Sequence, residues 1–258
     1  VTTILYGDRI RNVKGTFCRR NRRNRKWGTR TGDRMKFPKL RSASQLLNLV
    51  EDIGFLPFFH NETEGFSVEE CTPDGYWFVE GVEGPWDWKS EIAQGKKAAY
   101  GKFFHGKAGY VSAEWFPYLS NYRRDGYDFD SRYDDGLSSR QDKNIITYLS
   151  EHGGVLSTEI REALNYGKNG NKGFDTVITR LQMQTYILPQ SFEYKKDRKG
   201  REYGWGVARY TLSEDWLGRK ACRSRYKEDP QTSFRKMLDR LEDILPDADE
   251  EQLIRLLQ

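Results

Sequence analysis

An ordered alternation of patterns over residues 141–217 constrains the fold of this chain more than any other feature. Ile145, Ile146 and Leu149 recur at helical spacing, and Gly153-Gly154 ends that helix. Val155-Leu156 fits a short strand. Ser157 is placed to cap a second helix that carries Ile160, Ala163 and Leu164. A loop rich in Gly and Asn, 165–173, leads to a third helix with Val177, Ile178 and Leu181 as its buried stripe. Tyr186 to Tyr194 and Tyr203 to Leu212 then read as the two strands of a hairpin. Its tip, Lys195-Lys196-Asp197-Arg198-Lys199-Gly200-Arg201, sets five bases against one acid.

Helix, helix, helix, strand, basic wing, strand is the order of a winged helix-turn-helix. Each helix alone is a weak signal, and the ordered set is the specific one. In such a unit the third helix enters the major groove. Its outward positions are Asp175, Thr176, Thr179, Arg180 and Met183. Arg180 suits guanine or phosphate, and Thr176 and Thr179 suit a thymine methyl. Lys168 and Lys172 before the helix, and Lys195, Lys196, Arg198, Lys199 and Arg201 on the wing, suit phosphates. One base on the reading helix and five on the wing predict backbone-led binding with little sequence preference. Winged helices also act as packing or protein-docking modules, and that reading stays open.

Charge is distributed unevenly. Residues 1–41 hold 14 Lys or Arg against two acids, a local +12 in a chain of net +5, which leaves −7 for the rest. Residues 42–94 hold 11 acids and a single base, Lys89. The segment 1–35 is therefore expected to be a basic arm, with a short strand at Thr3 to Tyr6 and a loop through the run Arg19 to Lys26. Such an arm attracts a phosphate backbone or folds back onto the chain's own acidic face. Aromatics at 14% supply rings enough for a core. No run is long and apolar enough for a membrane span, and Val1 to Ile10 has no signal-peptide core. Cysteines at 18, 71 and 222 are odd in number and widely spaced, which suits a reducing cytoplasm and neither a disulfide framework nor a zinc ribbon.

Residues 36–140 read as an α+β region. Ser42 and Gln45 have capping-box spacing, Leu46, Leu49, Val50 and Ile53 form a stripe, and Gly54 is a stop. Tyr100 to Phe104 and Gly109 to Ser112 read as strands about a turn at His105-Gly106-Lys107. Ser112 is expected to cap a helix through Asn121, and residues 123–140 read as a linker. In the tail, 218–258, Asp229-Pro230 starts a helix carrying Phe234, Met237, Leu238, Leu241 and Leu245, and Asp249 caps a last one through Leu257. That tail either packs on its own body or makes a dimer contact, and the sequence sets no oligomeric state.

Chemistry has two candidate locations. In the first, Glu69, Glu70 and Glu83 offer a general base, and Trp86, Trp88, Tyr76 and Phe66 offer faces for a base drawn out of a duplex. Lys89 beside two Trp marks the segment further. The competing reading has the rings as core and the acids as solvated. In the second, Gln182 and Gln184 bracket Met183 and can hold a water or a base edge, or simply close the third helix. His60 and His105 stand alone and imply no metal. No zinc spacing, P-loop or nucleophile elbow occurs, so no cofactor is expected.

With those residues in view, the chain resembles the AlkZ-related proteins, linked by winged-helix architecture to the AlkZ and YcaQ DNA glycosylases. The likeness rests on Gly54-Phe55-Leu56-Pro57-Phe58-Phe59, Gly84-Pro85-Trp86-Asp87-Trp88-Lys89, Tyr100-Gly101-Lys102-Phe103-Phe104 and Phe174-Asp175-Thr176. It covers roughly residues 40–258. Those glycosylases are built from tandem winged helices, excise alkylated bases, unhook interstrand crosslinks, and use a Gln-x-Gln or Gln-x-Asp motif. The resemblance implies further winged-helix-like units within 36–120. The only Gln-x-Gln here is Gln182 and Gln184, late in the chain, whereas the glycosylase motif lies in the amino-terminal part of its fold.

The expectation is an α+β protein that binds double-stranded DNA, as a monofunctional glycosylase-like repair protein acting on alkylated bases. An extruded base would stack on Trp86 or Trp88 while Glu69 or Glu83 positions a water against the sugar C1′. A non-enzymatic regulator and a protein-interaction module are the alternatives.

Overall fold

Leu46, Leu49, Val50 and Ile53 are all buried and seat helix α1 (Ala43–Ile53) on a small sheet. The computed structural model describes residues 37–196, 198, 200 and 202–258. The basic arm 1–35 with its expected strand and loop, Lys199 and Arg201 therefore lie outside the described residues. Ser42 Oγ accepts the Gln45 N–H at 3.3 Å, while the Gln45 side chain reaches the Arg41 N–H at 2.9 Å, one residue short of a closed capping box. Gly54 ends α1 at φ +96°, and a Cβ there would meet the Trp115 ring at 2.6 Å.

Strand β1 (Phe55–Pro57) follows, then α2 (Val68–Cys71), a single 3-10 turn (Asp74–Tyr76) and α3 (Pro85–Gly95). Strands β2 (Ala98–Phe104) and β3 (Lys107–Ser112) form an antiparallel hairpin, and the sheet order is β1-β3-β2. Beyond it come α4 (Phe116–Arg124) and α5 (Phe129–Asp134). The plan then repeats: α6 (Arg140–His152), β4 (Val155–Leu156), α7 (Ser157–Ala163), α8 (Phe174–Met183), and the hairpin β5 (Ile187–Lys196) with β6 (Glu202–Leu212). The second sheet has the order β4-β6-β5. Both halves thus run helix, short strand, helix, helix, hairpin, and in both the third strand lies between the first and the second. Helices α9 (Ser213–Leu217), α10 (Arg219–Arg223), α11 (Pro230–Ile244) and α12 (Glu250–Leu257) complete the chain.

Two apolar cores match the two halves. The first gathers Phe55, Phe58, Phe66, Phe103, Tyr110 and Phe116 with Met237, Leu238, Leu241 and Leu253 from the tail, so α11 and α12 pack on the chain's own body. The second gathers Ile145, Leu149, Ile160, Val177, Ile178, Leu181 and Ile187. The third helix of each half packs on the first hairpin strand of the other. Ser90 of α3 bonds the Phe192 N–H of β5 at 3.3 Å, and Gln182 of α8 accepts the Lys102 N–H of β2 at 3.2 Å.

Several expectations need correction. Residues 123–140 are not a linker: α4 runs to Arg124, and α5 forms because Phe129 is buried edge-on against Tyr186 while Asp128 caps Ser131. Ser112 caps nothing, because the chain makes one more turn and α4 starts after Trp115. Ser157 is the first residue of α7, whose entry is closed by Glu159 accepting the Leu156 N–H at 2.9 Å. Helices α2, α3, α9 and α10 were not expected from the sequence.

Candidate nucleic-acid interface and aromatic pocket

The N-terminus of α3 builds a hollow. Pro85 takes the first helical position, where its missing N–H leaves nothing unsatisfied, and the Asp87 carboxylate accepts the Gly84 N–H at 2.8 Å. A Cβ on Gly84 would lie 2.0 Å from the Tyr76 carbonyl oxygen, so only glycine lets the 3-10 turn fold this closely over the helix. From β5, Tyr194 reaches across and donates its hydroxyl to the Trp86 carbonyl at 3.3 Å. The result is a cavity of about 380 Å³ lined by Tyr76, Phe78, Val79, Val82, Trp86, Asp87, Lys89 and Tyr194.

Two features of this cavity are unlike ordinary core. Among the described residues four large apolar side chains are exposed, and three of them, Phe78, Val79 and Val82, line it. Phe78 is 74% exposed at φ +56°, a left-handed conformation that costs a bulky residue energy and is typical of functional positions. At the other extreme, Lys89 is 6% exposed, with Nζ 4.6 Å from the Trp86 ring centroid and 4.3 Å from that of Phe192. Burial pushes its amine down to about 8, against a smaller upward pull from Asp87.

The outward face of α8 borders a second, wider hollow of about 670 Å³. Asp175, Thr176, Thr179, Arg180, Met183 and Gln184 form one side, and Arg123 and Arg132 join from α4 and α5. Arg123 donates to the carbonyls of Phe103 and Leu257 at 2.9 and 2.7 Å, and burial pulls its guanidinium down to about 10. The buried Nε atoms of Arg123 and Arg132 and the Oε1 of Gln184 have no hydrogen-bond partner. Helix α8 is a wall here rather than a protruding rod. Thr179 accepts a bond from Lys102 Nζ at 3.1 Å, and the Gly106 turn lies over its methyl. Arg180 donates Nε and Nη2 to Asp142 at 3.1 and 2.7 Å. The Asp142 carboxylate is buried and also accepts the N–H and hydroxyl of Ser139.

The other candidate residues fall as follows. Trp88, 2% exposed, faces the core beside Tyr76, so its ring is closed to a base. Trp86, two positions earlier, lies on the other side of α3 and lines the pocket. Phe66 is core. Glu69 is exposed and accepts the His60 N–H at 2.8 Å; Glu70 donates its N–H to Ser67 Oγ at 3.1 Å, and its carboxylate accepts the Ser67 hydroxyl and, at 2.7 Å, the Gly65 N–H. Glu83 is exposed. None of these acids lines the aromatic pocket, and Asp87 does. Gln182 is buried, with its amide bonded at both ends, to Lys102 N and to the Ile178 carbonyl at 3.2 Å. Gln184 stays at the edge of the wider hollow.

Among the bases before α8, Lys168 is exposed and Lys172 is tied to the Gly167 and Lys168 carbonyls of its own loop. Lys195 and Lys196 end β5, paired with Tyr203 and Glu202, and Arg198 is exposed at the tip. Burial pushes the Cys71 and Cys222 thiols up to about 11 and 12, so neither is a thiolate at neutral pH. No cluster of three His, Cys, Asp or Glu suited to a metal occurs among the described residues. No helix among them is long and apolar enough to cross a membrane.

A family model described as AlkZ related matches residues 40–258. The chain belongs to the AlkZ-related family. The match begins three residues before α1 and takes in both halves, the aromatic pocket and the tail. No curated protein and no solved structure matches the chain. Lys89 by its burial and Phe78 by its backbone stand apart in this AlkZ-related chain, and the sequence alone points to no role for them or for Asp87. Lys89 was detectable as the one base among the acids of 42–94. Phe78 had no signal, since its exposure depends on how the 3-10 turn sits on α3.

Proposed function

We propose that this AlkZ-related protein binds DNA through two winged-helix units, residues 43–112 and 140–212, and holds an unstacked nucleobase in the aromatic pocket. The repeated element order and sheet order support the two units. One observation carries the base-holding reading: a strained, exposed Phe78 stands at a cavity floored by Trp86 and Lys89, next to the hairpin whose tip is basic. An extruded base needs aromatic faces and a closed floor, and about 380 Å³ is within the range of small-molecule sites. The cationic wing sequence supplies phosphate contacts, and α8 contributes a wall with Arg123 and Arg132 rather than a free reading head. Affinity then comes from the backbone and not from base edges. Glycosylase-like repair of alkylated bases is the activity this arrangement serves, with Asp87 in place of Glu69 or Glu83 as the carboxylate at the site.

Two measurements test this. Log affinity for duplex DNA is expected to fall linearly with log salt, by about 0.9 per phosphate neutralised. A 2-aminopurine base placed opposite a gap or mismatch is expected to brighten on binding, and Phe78→Ala to remove that signal with little change in salt slope. A duplex that stays unbound at low salt sinks the proposal. Binding without base extrusion and without release of an alkylated base favours a non-enzymatic regulator.

A further inference from the structure

Lys89 is buried as deeply as a core residue, yet no carboxylate lies within ion-pair distance of its Nζ and no acceptor within hydrogen-bond distance among the described residues. A buried lysine is normally paired, because an unpaired ammonium loses its hydration without replacement. Here the Nζ faces two aromatic rings and the cavity, which is the setting of an amine kept for reaction.

We propose that Lys89 is an imine-forming nucleophile that captures an aldehyde carbon held in the aromatic pocket. The lone pair of the neutral amine adds to the carbonyl carbon, a C–N bond forms, and the oxygen takes up a proton. The nitrogen then loses a proton, the hydroxyl leaves as water, and a C=N bond remains. Amine plus aldehyde gives imine plus water, with no redox partner. Burial lowers the amine to about 8 from 10.5, which leaves roughly 300-fold more free base at pH 7 than an ordinary lysine has. The titratable groups around it are Asp87 on its own helix, Tyr76 on the 3-10 turn and Tyr194 on β5. Asp87 lines the same cavity beyond ion-pair distance of the Nζ, so the proton that the nitrogen sheds passes to water. Resting on the DNA reading above, the aldehyde is the open-chain C1′ of an abasic deoxyribose; a free aromatic aldehyde offers the same chemistry.

The test is reductive trapping with cyanoborohydride on the full chain, with peptide mapping of the adduct. One arm uses a duplex with a single abasic site, the other benzaldehyde alone, and duplex binding is followed in parallel by anisotropy. Both arms are expected to label Lys89 first, with a rate that levels off near pH 8. Lys89→Arg keeps the cation over the rings but cannot form the imine, and is expected to lower the adduct per bound duplex roughly 100-fold. Labelling of Lys89 by benzaldehyde, with a bound duplex left unlabelled, supports the nucleophile and assigns it a free carbonyl ligand. If the duplex does not bind, the DNA reading fails by itself and the benzaldehyde arm still decides the chemistry. Labelling spread over surface lysines, or unchanged in Lys89→Arg, overturns the proposal.

Discussion

Lys89 and Trp88 share one turn of α3 and have opposite fates. Trp88 drops into the core, while Lys89 is buried beneath a cavity and keeps a charge that its surroundings disfavour. A lysine whose folded-state amine lies near 8 and whose unfolded value is 10.5 opposes folding wherever it must be protonated. That penalty is full below pH 8 and fades as pH rises from about 8 to 10.5, where the unfolded chain holds the extra proton. Lys89→Met is therefore expected to raise the unfolding free energy at pH 7 by on the order of 1–3 kcal/mol. The gain should shrink steadily towards pH 10. A Met variant less stable at pH 7, or a gain independent of pH, would show that the ammonium is at ease where it is. The sequence made Lys89 visible by charge alone. It could not separate Trp86 from Trp88 until α3 was known, because only a helix turns residues two apart to different sides.

At the level of elements, the two third helices were unequally legible. Helix α8 carries a clean apolar stripe, and its five outward positions were readable from period alone. What the sequence hid is what covers them. Arg180 looks like a reading side chain, but the Asp142 carboxylate it neutralises is buried at the start of α6. Moving Arg180 to a guanine would leave that carboxylate unpaired. Arg180→Ala is thus expected to cost about 3 kcal/mol in stability. It should leave the sequence preference of DNA binding unchanged; a selective loss at one base position would reverse this view. Helix α3 went unrecognised because its apolar residues are few and mixed with acids, yet Gly84-Pro85 and Asp87 at the third position are a start signal. Asp87→Ala removes the acceptor for the Gly84 N–H and should cost about 1 kcal/mol. It also removes the anion that holds the Lys89 amine up, so the pH at which trapping levels off should fall below 8. Helix α5 was misread for the opposite reason: its charges suggested a linker, and its single anchor, Phe129, depends on Tyr186 from a distant part of the chain.

At the scale of the whole molecule, residues 43–112 and 140–212 repeat one plan, each placing its third helix on the other's hairpin. Only the second copy was legible as such, since the first has a four-residue second helix and an α3 without a stripe. The joint between them combines apolar packing, such as Phe192 on Tyr100, with a polar contact at Arg124. Its buried guanidinium, at the end of α4, pairs with Glu214 and donates to the Thr185 carbonyl at 2.7 Å, while Arg223 bonds the same Glu214 at 3.0 Å. Burial alone would raise the Glu214 carboxyl, but bonds and charge from Arg124, with help from Arg223, outweigh it and hold the carboxyl below its ordinary value. A lowered carboxyl adds stability that is full above its unfolded value of 4.5 and is lost as pH falls through the folded one. Arg124→Met should therefore remove about 3 kcal/mol at neutral pH. Below pH 4.5 variant and wild type should converge. The same variant tests how the halves are coupled. Trp77, Trp86, Trp88 and Trp115 all belong to the first core or pack against it. With Trp27, Trp205 and Trp216 replaced by Phe, tryptophan fluorescence follows the first half, while far-ultraviolet circular dichroism follows both. In the wild type the two urea transitions are expected to coincide; in Arg124→Met the dichroism transition should begin first, as the second half loosens alone. Coincident curves in the variant would mean that the apolar contacts of α3 with β5 and of α8 with β2 hold the halves together without the ion pair. The pocket, built from α3 on one side and β5 on the other, would then keep its shape at any pH that leaves those strands and helices packed.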